Sequence, residues 1–310
     1  MPHRQNPDRR SAGALDRSLR DQNRQGCARD PHGSVAASGC SSLGSGRISE
    51  TQIVRFDIIT LFPEMFAFLD ISIPGRAQKS GALEVRAHHL RDHAINKHGQ
   101  VDDSPYGGEA GMVLRPEPLQ AALNKVTAEI DPTGGKRPHV IFMSAQGRLF
   151  DQKRANELAG MENVVIVCGH YKGIDQRFLD AHVDEEISVG DYVLSGGELP
   201  AMLVIDAVAR LLPGVIGDRE SAETDSFYNP GRLGWPVYTR PAEFEGRTVP
   251  EVLISGHHAN IEAWQTLESV RLTEKNRPDL LEKHPLTAAE EKLVNPPPPK
   301  KKKKAKIPPA

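Results

Sequence analysis

Only three cysteines occur in 310 residues, Cys27, Cys40 and Cys168. That scarcity excludes a disulfide framework, and no Cys/His spacing suits zinc. No apolar run approaches the ~20 residues that span a bilayer, and the amino terminus lacks a hydrophobic signal core. A cytoplasmic protein with no membrane association is the expectation. Neither GxGxxG nor GxxxxGK[ST] is present, which excludes the usual dinucleotide and P-loop fingerprints. The formal net charge is small, −2, but unevenly placed. Residues 296–310 carry six lysines and no acid, and residues 1–54 carry eight arginines against five acids, so the stretch between them is acidic. An acidic body argues against indiscriminate RNA binding and confines any RNA contact to local basic patches.

What is present is a 38% hydrophobic chain, enough for a sizeable core and long enough for two domains. Residues 1–53 are rich in Arg, Asp, Ser and Gly without apolar periodicity, and read as disordered. Strands are expected at Phe56–Leu61, Glu84–Arg86, Val140–Met143 and Val164–Cys168. The last is an unbroken apolar run of the kind covered on both faces in a parallel sheet. Pro63 opens a helix, Leu119–Ile130 has helical spacing, and Asp151 is placed to cap the next helix. Ser144–Gly147 reads as a loop closing its strand. The stretch from Arg91 to Met112 is polar and glycine-rich, and fits a solvated loop or a ligand-binding one.

Two glycine-bearing loops follow two strands. Gly169 and Gly173 bracket His170, Tyr171 and Lys172; a helix follows from Asp175 to His182. Then Ile187–Val189 leads into Gly190 and onward to Ser195-Gly196-Gly197. Such loops let backbone approach a ligand at strand carboxyl ends. Leu199–Leu212 is an apolar helix ended by Pro213-Gly214, buried in the core or in a subunit interface, with Arg210 inside it. Ser221–Arg232 reads as a linker, and Pro250–Pro278 with Leu280–Val294 as a small helical unit in which Trp264 reads as core. Pro296–Ala310 is a Pro/Lys-rich tail, either solvated or attracted to RNA in a salt-sensitive way.

The segments CGHYKGIDQR, VGDYVLSGGELPA, RFDIITLFPEMF, VDDSPYGGEAGMVLRPEPL, ETDSFY, YTRP and GHHANIEAW occur in that family-like set between about Val54 and Val294. Together they resemble the bacterial tRNA (guanine-N1)-methyltransferases of the SPOUT superfamily. The resemblance implies an α/β fold, a SPOUT-type parallel sheet with a deep trefoil knot, plus a small helical C-terminal domain. It implies S-adenosylmethionine bound in a bent shape, an obligate homodimer, and methylation of N1 of guanosine at position 37 of tRNA. Magnesium dependence is a family expectation with no sequence signature. The corresponding domains are a disordered extension 1–53, a cofactor-binding knotted domain 54–216, a flexible linker 217–232, a helical tRNA-binding domain 233–295 and a tail 296–310. Val54 stands where the family has its initiator methionine, and GUG can serve as a bacterial start codon. Translation is therefore expected to start at Val54, which intact mass would check.

Methylating N1 of guanine requires loss of its proton while charge moves onto O6, so the site needs a base and a cationic group. By resemblance Asp225 is that base and Arg210 stabilises the charge. Without the resemblance, an aspartate in such a linker reads as solvated or turn-forming. The cofactor contacts carried over are Ser144, Gly147, Gly169, Tyr171, Gly173, Val189, Gly190, Asp191, Tyr192, Val193, Leu194, Gly196 and Gly197. The substrate contacts are Tyr106, Gly107, Gly108, Lys172 and Ser221; no metal ligands are expected, and His257-His258 lacks further ligands at fitting spacing. The family commonly has Glu where Lys172 stands, Arg at His170, a small or aromatic residue at Glu109 and Pro at Ala145. Two alternatives follow: the same fold acting on another RNA position, and an RNA-binding protein that is catalytically silent.

Overall fold

The computed structural model describes residues 53–217, 224–229 and 231–296. The expected extension and tail, and part of the expected linker, lie outside the described residues. The chain opens with β1 (Val54–Thr60), a 3-10 segment (Pro63–Asp70), α1 (Ser72–Ser80) and β2 (Leu83–His89). A short antiparallel pair follows, β3 (Asp102–Asp103) with β4 (Val113–Leu114), then α2 (Pro116–Ile130), β5 (His139–Leu149), α3 (Gln152–Ala159) and β6 (Asn163–Cys168). Next come α4 (Gln176–His182), β7 (Glu185–Ser188) and α5 (Glu198–Ala209). Beyond residue 224 the chain forms the β8–β9 hairpin (Glu243–Phe244, Arg247–Thr248) and four helices. These are α6 (Glu251–Ile254), α7 (His258–Asn276), α8 (Pro278–Lys283) and α9 (Ala288–Val294).

Five strands form one parallel sheet in the order β2-β1-β6-β5-β7. Its central strands are buried on both faces, and their alternate residues feed two cores. Phe56, Ile58, Ile141, Val164 and Ile166 join apolar residues of α1, α3 and α5 on one face. Ile59, Val140, Phe142, Val165 and Val167 meet α2 and α4 on the other. This is why β6 reads as a continuous apolar run. Asp57, also on β1, is wholly buried, yet accepts from Arg55 Nε at 2.7 Å and faces His88 Nε2 at 2.7 Å. Burial alone would push its carboxyl up, but these hydrogen bonds outweigh it and hold it below the ordinary range.

Local chemistry fixes the helix starts. Asp151 accepts from Arg154 N at 2.8 Å, as a capping residue should, and Asp175 accepts from Arg177 N at 2.9 Å. Thr287 and Glu290 complete a reciprocal capping box on α9.

β1 and β2 start and end a few residues from their expected bounds, and two further differences bear on the site. β5 does not stop at Met143 but runs to Leu149 with a shift of register between Met143 and Arg148. The cause is Gly147, which presses on β7: a Cβ there would lie 2.4 Å from Glu186 C. Residues 144–147 are therefore a bulge inside the strand. The apolar helix ends at Ala209, with Arg210 as its C-cap. Pro213 offers no N–H and disfavours helical geometry before it, so Arg210 sits at the end of the helix and not within it. Trp264 is half-buried beside Tyr238, their ring centroids 6.3 Å apart. Among the described residues, no helix is long and apolar enough to cross a membrane.

Candidate active site

In a parallel sheet the carboxyl ends of all strands share one edge, and there the bulge of β5 and the loops after β6 and β7 converge. The loop after β7 returns past the end of β5 to touch the end of β6: Gly197 N donates to Gly169 O at 3.0 Å, and His170 bridges Gly196. Only glycine permits this approach at 197, where a Cβ would stand 2.7 Å from Cys168 Cα. Between the loops lies a cleft of about 330 Å³, within the range of small-ligand sites.

Ser144, Gly169, Tyr171, Gly173, Val189, Gly190, Tyr192, Val193, Leu194, Gly196 and Gly197 line that cleft, as does Lys172. Gly147 and Asp191 do not. The first packs against β7, and the second is exposed. The loops brace themselves: Tyr192 Oη donates to Val189 O at 3.2 Å, and Gly190 N donates to Ser188 Oγ at 3.2 Å. Cys168 lies fully buried at the end of β6, where burial first and the nearby Glu198 carboxylate second push its thiol up. It stays protonated and inert as a nucleophile.

Sequence reasoning missed Glu198. This buried carboxylate at the start of α5 accepts from Thr60 Oγ1 at 2.6 Å and contacts His170 Nε2 at 2.8 Å, tying β1, the loop after β6 and α5 together. An acid at the head of a largely apolar helix was the available signal. Phe142, Gln146, Ile174, Gln176, Leu179 and Pro200 also line the cleft without having stood out in the sequence.

The loop between β3 and β4 docks beside this cleft. Lys172 N donates to Met112 O at 3.0 Å and Leu114 N to Gly173 O at 3.0 Å. Lys172 Nζ meets Glu109 Oε2 at 2.6 Å, and that hydrogen bond holds the Glu109 carboxyl below its ordinary value. Lys172 and Glu109 thus neutralise each other. Tyr106 is fully exposed, Gly107 and Gly108 form the turn with positive φ, and Ser221 lies outside the described residues.

Arg210 and Asp225 come together as an ion pair between Arg210 Nη2 and Asp225 Oδ2. They sit in a second cleft, lined also by Gln152, Leu203, Asp206, Ser226 and Tyr228. Both side chains are about half exposed, 45% and 56%, so the pair is weak and easily parted. α5 links the clefts. Pro200 near its start lines the first and Arg210 at its end lines the second, ten residues on, or about 15 Å along the helix axis.

Residues 54–283 match the family model described as tRNA (Guanine-1)-methyltransferase TrmD. The chain belongs to this family. A protein of Magnetococcus marinus named tRNA (guanine-N(1)-)-methyltransferase is 52% identical over 245 residues, covering 78% of this chain and 94% of its own. The protein of that name in Brevibacillus brevis is 53% identical over 242 residues, covering 78% and 97%. The one in Staphylococcus aureus strain Newman is 49% identical over 242 residues, covering 78% and 96%. Membership extends over the sheet, both clefts and the helices through α8. Among the described residues, no group of three or more His, Cys, Asp or Glu could hold a metal ion.

Proposed function

We propose that the chain transfers a methyl group from S-adenosylmethionine to N1 of guanosine at position 37 of tRNA, as a cytoplasmic homodimer. Its class is that of its family, a tRNA (guanine-N1)-methyltransferase. The observation that carries the reading is the glycine-built loop cleft joined by α5 to the Arg210–Asp225 pair. When bound, S-adenosylmethionine supplies a methyl group from its sulfonium and leaves as a neutral thioether. The cleft suits such a ligand: backbone of residues 189–197 offers hydrogen bonds to an adenine, and Phe142, Ile174, Leu179 and Pro200 offer apolar contact. A β-carbon added at Gly169 would clash with the Phe142 ring at 2.8 Å, and one at Gly197 with Cys168 Cα at 2.7 Å, so both glycines are needed for the loops to meet. Asp225 takes the proton from N1, and Arg210, released from the ion pair, faces the negative charge that grows on O6.

One chain alone leaves the two clefts about 15 Å apart along α5. A second copy would bring its own Arg210 and Asp225 to the first copy's cofactor cleft. The covering surface is at hand, because α5 exposes Leu199 and Leu203, and the neighbouring 3-10 segment and the residue after it expose Phe68 and Ile71. The return of the chain from β7 past β5 to β6 is the crossing we take as the knot. Residues 54–216 then form the cofactor domain, 217–232 the linker and 233–295 the tRNA-gripping unit.

Transfer of labelled methyl to transcripts with guanosine or adenosine at position 37 tests the reading. Label should enter the guanosine transcript alone and be largely lost with Asp225→Asn. Tight cofactor binding without product on either transcript would favour the silent RNA-binding alternative.

A further inference from the structure

The turn that carries Asp225 is fastened from the far end of the chain. Tyr228 N donates to Asp225 O at 3.3 Å and Phe227 N to Arg232 O at 2.8 Å, while Gly234 N donates to Ser226 Oγ at 2.9 Å. Residues 225–228 are thus closed onto residues 232–234. Those in turn are bound to the C-terminal helices: Leu233 N donates to Thr273 Oγ1 at 2.9 Å, and Ser269 Oγ donates to Leu233 O at 2.6 Å.

Arg232 is the centre of this attachment. Its side chain is 5% exposed, and it meets Glu290, 7% exposed, through Nε at 2.7 Å and Nη2 at 2.8 Å. Nη1 donates to Gly231 O at 3.0 Å and His284 O at 2.9 Å, and Nη2 also to Pro285 O at 3.2 Å. All five donors of the guanidinium are used. Glu290 is matched on its side by Thr287 N at 2.8 Å and Thr287 Oγ1 at 2.9 Å. Gly231, at φ 73°, passes so close to His284 that a Cβ would lie 2.5 Å from its Cβ, and this lets Arg232 enter.

We propose that Arg232 and Glu290 are positioning residues for Asp225: the C-terminal helices set the place of the reacting carboxylate through this buried clasp. The proposal rests on the reading of Asp225 as the base. A buried pair that served stability alone could be exchanged for apolar residues. Here the guanidinium instead spans three carbonyls and a carboxylate, and the residue carrying it is hydrogen-bonded to the Asp225 turn. A displacement of about 1 Å in a reacting group can cost 10²-fold in rate, so small slack at the clasp reaches the chemistry.

The test uses the full chain with Ser226→Ala, Ser226→Thr, Glu290→Gln and Asp225→Asn, measuring kcat, cofactor Kd and the thermal transition of each. Ser226→Ala removes the turn-closing acceptor without touching the buried pair, so it carries the test even if Glu290→Gln does not fold. The expected result is a fall in kcat of about 10- to 100-fold for Ser226→Ala, with cofactor Kd and thermal transition unchanged, and recovery in Ser226→Thr. A Ser226→Ala variant, or a folded Glu290→Gln variant, that keeps kcat within about twofold while Asp225→Asn loses it overturns the clasp's role. An active Asp225→Asn would overturn the underlying reading instead.

Discussion

At the loop cleft the decisive contact runs from Gly197 N–H to Gly169 O, backbone to backbone. At the Asp225 turn the backbone bond from Phe227 N to Arg232 O is supported by the side chains of Ser226, Arg232, Thr273 and Glu290, drawn from distant parts of the sequence. The first contact has no side chain to lose and no room for one to be added, although Tyr192, Ser188 and Glu198 brace the loops around it. The second is adjustable, but a single substitution or protonation can undo it. A site built from backbone suits a cofactor that must be held in one shape. A site built on side chains suits a group that must move from one partner, Arg210, to another.

The sharpest way to break this contrast is Asp225→Asn. A lost general base costs about 10²–10⁴ in kcat, and cofactor affinity should stay unchanged by calorimetry. If affinity fell in parallel, the regions would not be separable. Gly197→Ala is the reciprocal change. Its Cβ would meet Cys168 Cα at 2.7 Å, and overpacking of about 1–3 kcal/mol should weaken cofactor binding by about 5- to 150-fold with tRNA affinity retained.

Acid should separate the regions without mutation. Arg232, through its hydrogen bonds, holds the Glu290 carboxyl at about 2, against an ordinary 4.5. A depressed folded value means that this stabilisation, about 3 kcal/mol, is complete above 4.5 and is lost as pH falls toward 2. Both tryptophans, Trp235 and Trp264, lie in this part of the chain. Their fluorescence should therefore report its loosening before far-ultraviolet circular dichroism reports loss of the sheet. The smallest effect is expected at the rim, where Glu109→Gln or Lys172→Gln should change the KM for tRNA by no more than about threefold, as for exposed pairs. A larger change would make that rim pair part of the side-chain-built machinery.

The sheet was legible because β6 and β5 are apolar runs with β-branched residues, and the helix starts because Asp151, Asp175 and Pro63 signal locally. The loop cleft was legible for a related reason: glycines that permit close approach stand out in a sequence. Gly147 shows where that reasoning stops, since a glycine can serve strand packing as readily as a ligand. The extension of β5 past Met143 depends on that contact with β7 and has no local signature. Arg232 and Glu290 were missed because each looks like an ordinary surface charge until the fold brings them together. Glu198 was missed among apolar neighbours for the same reason, its partners Thr60 and His170 being distant in sequence.

α5 also acts as a ruler between the clefts. One residue inserted between Pro200 and Arg210 would turn the helix end by about 100° and advance it about 1.5 Å, swinging Arg210 away from its cleft. Length changes should therefore be purged from this helix, even where its individual apolar residues drift freely, while the turns outside the sheet can gain or lose residues.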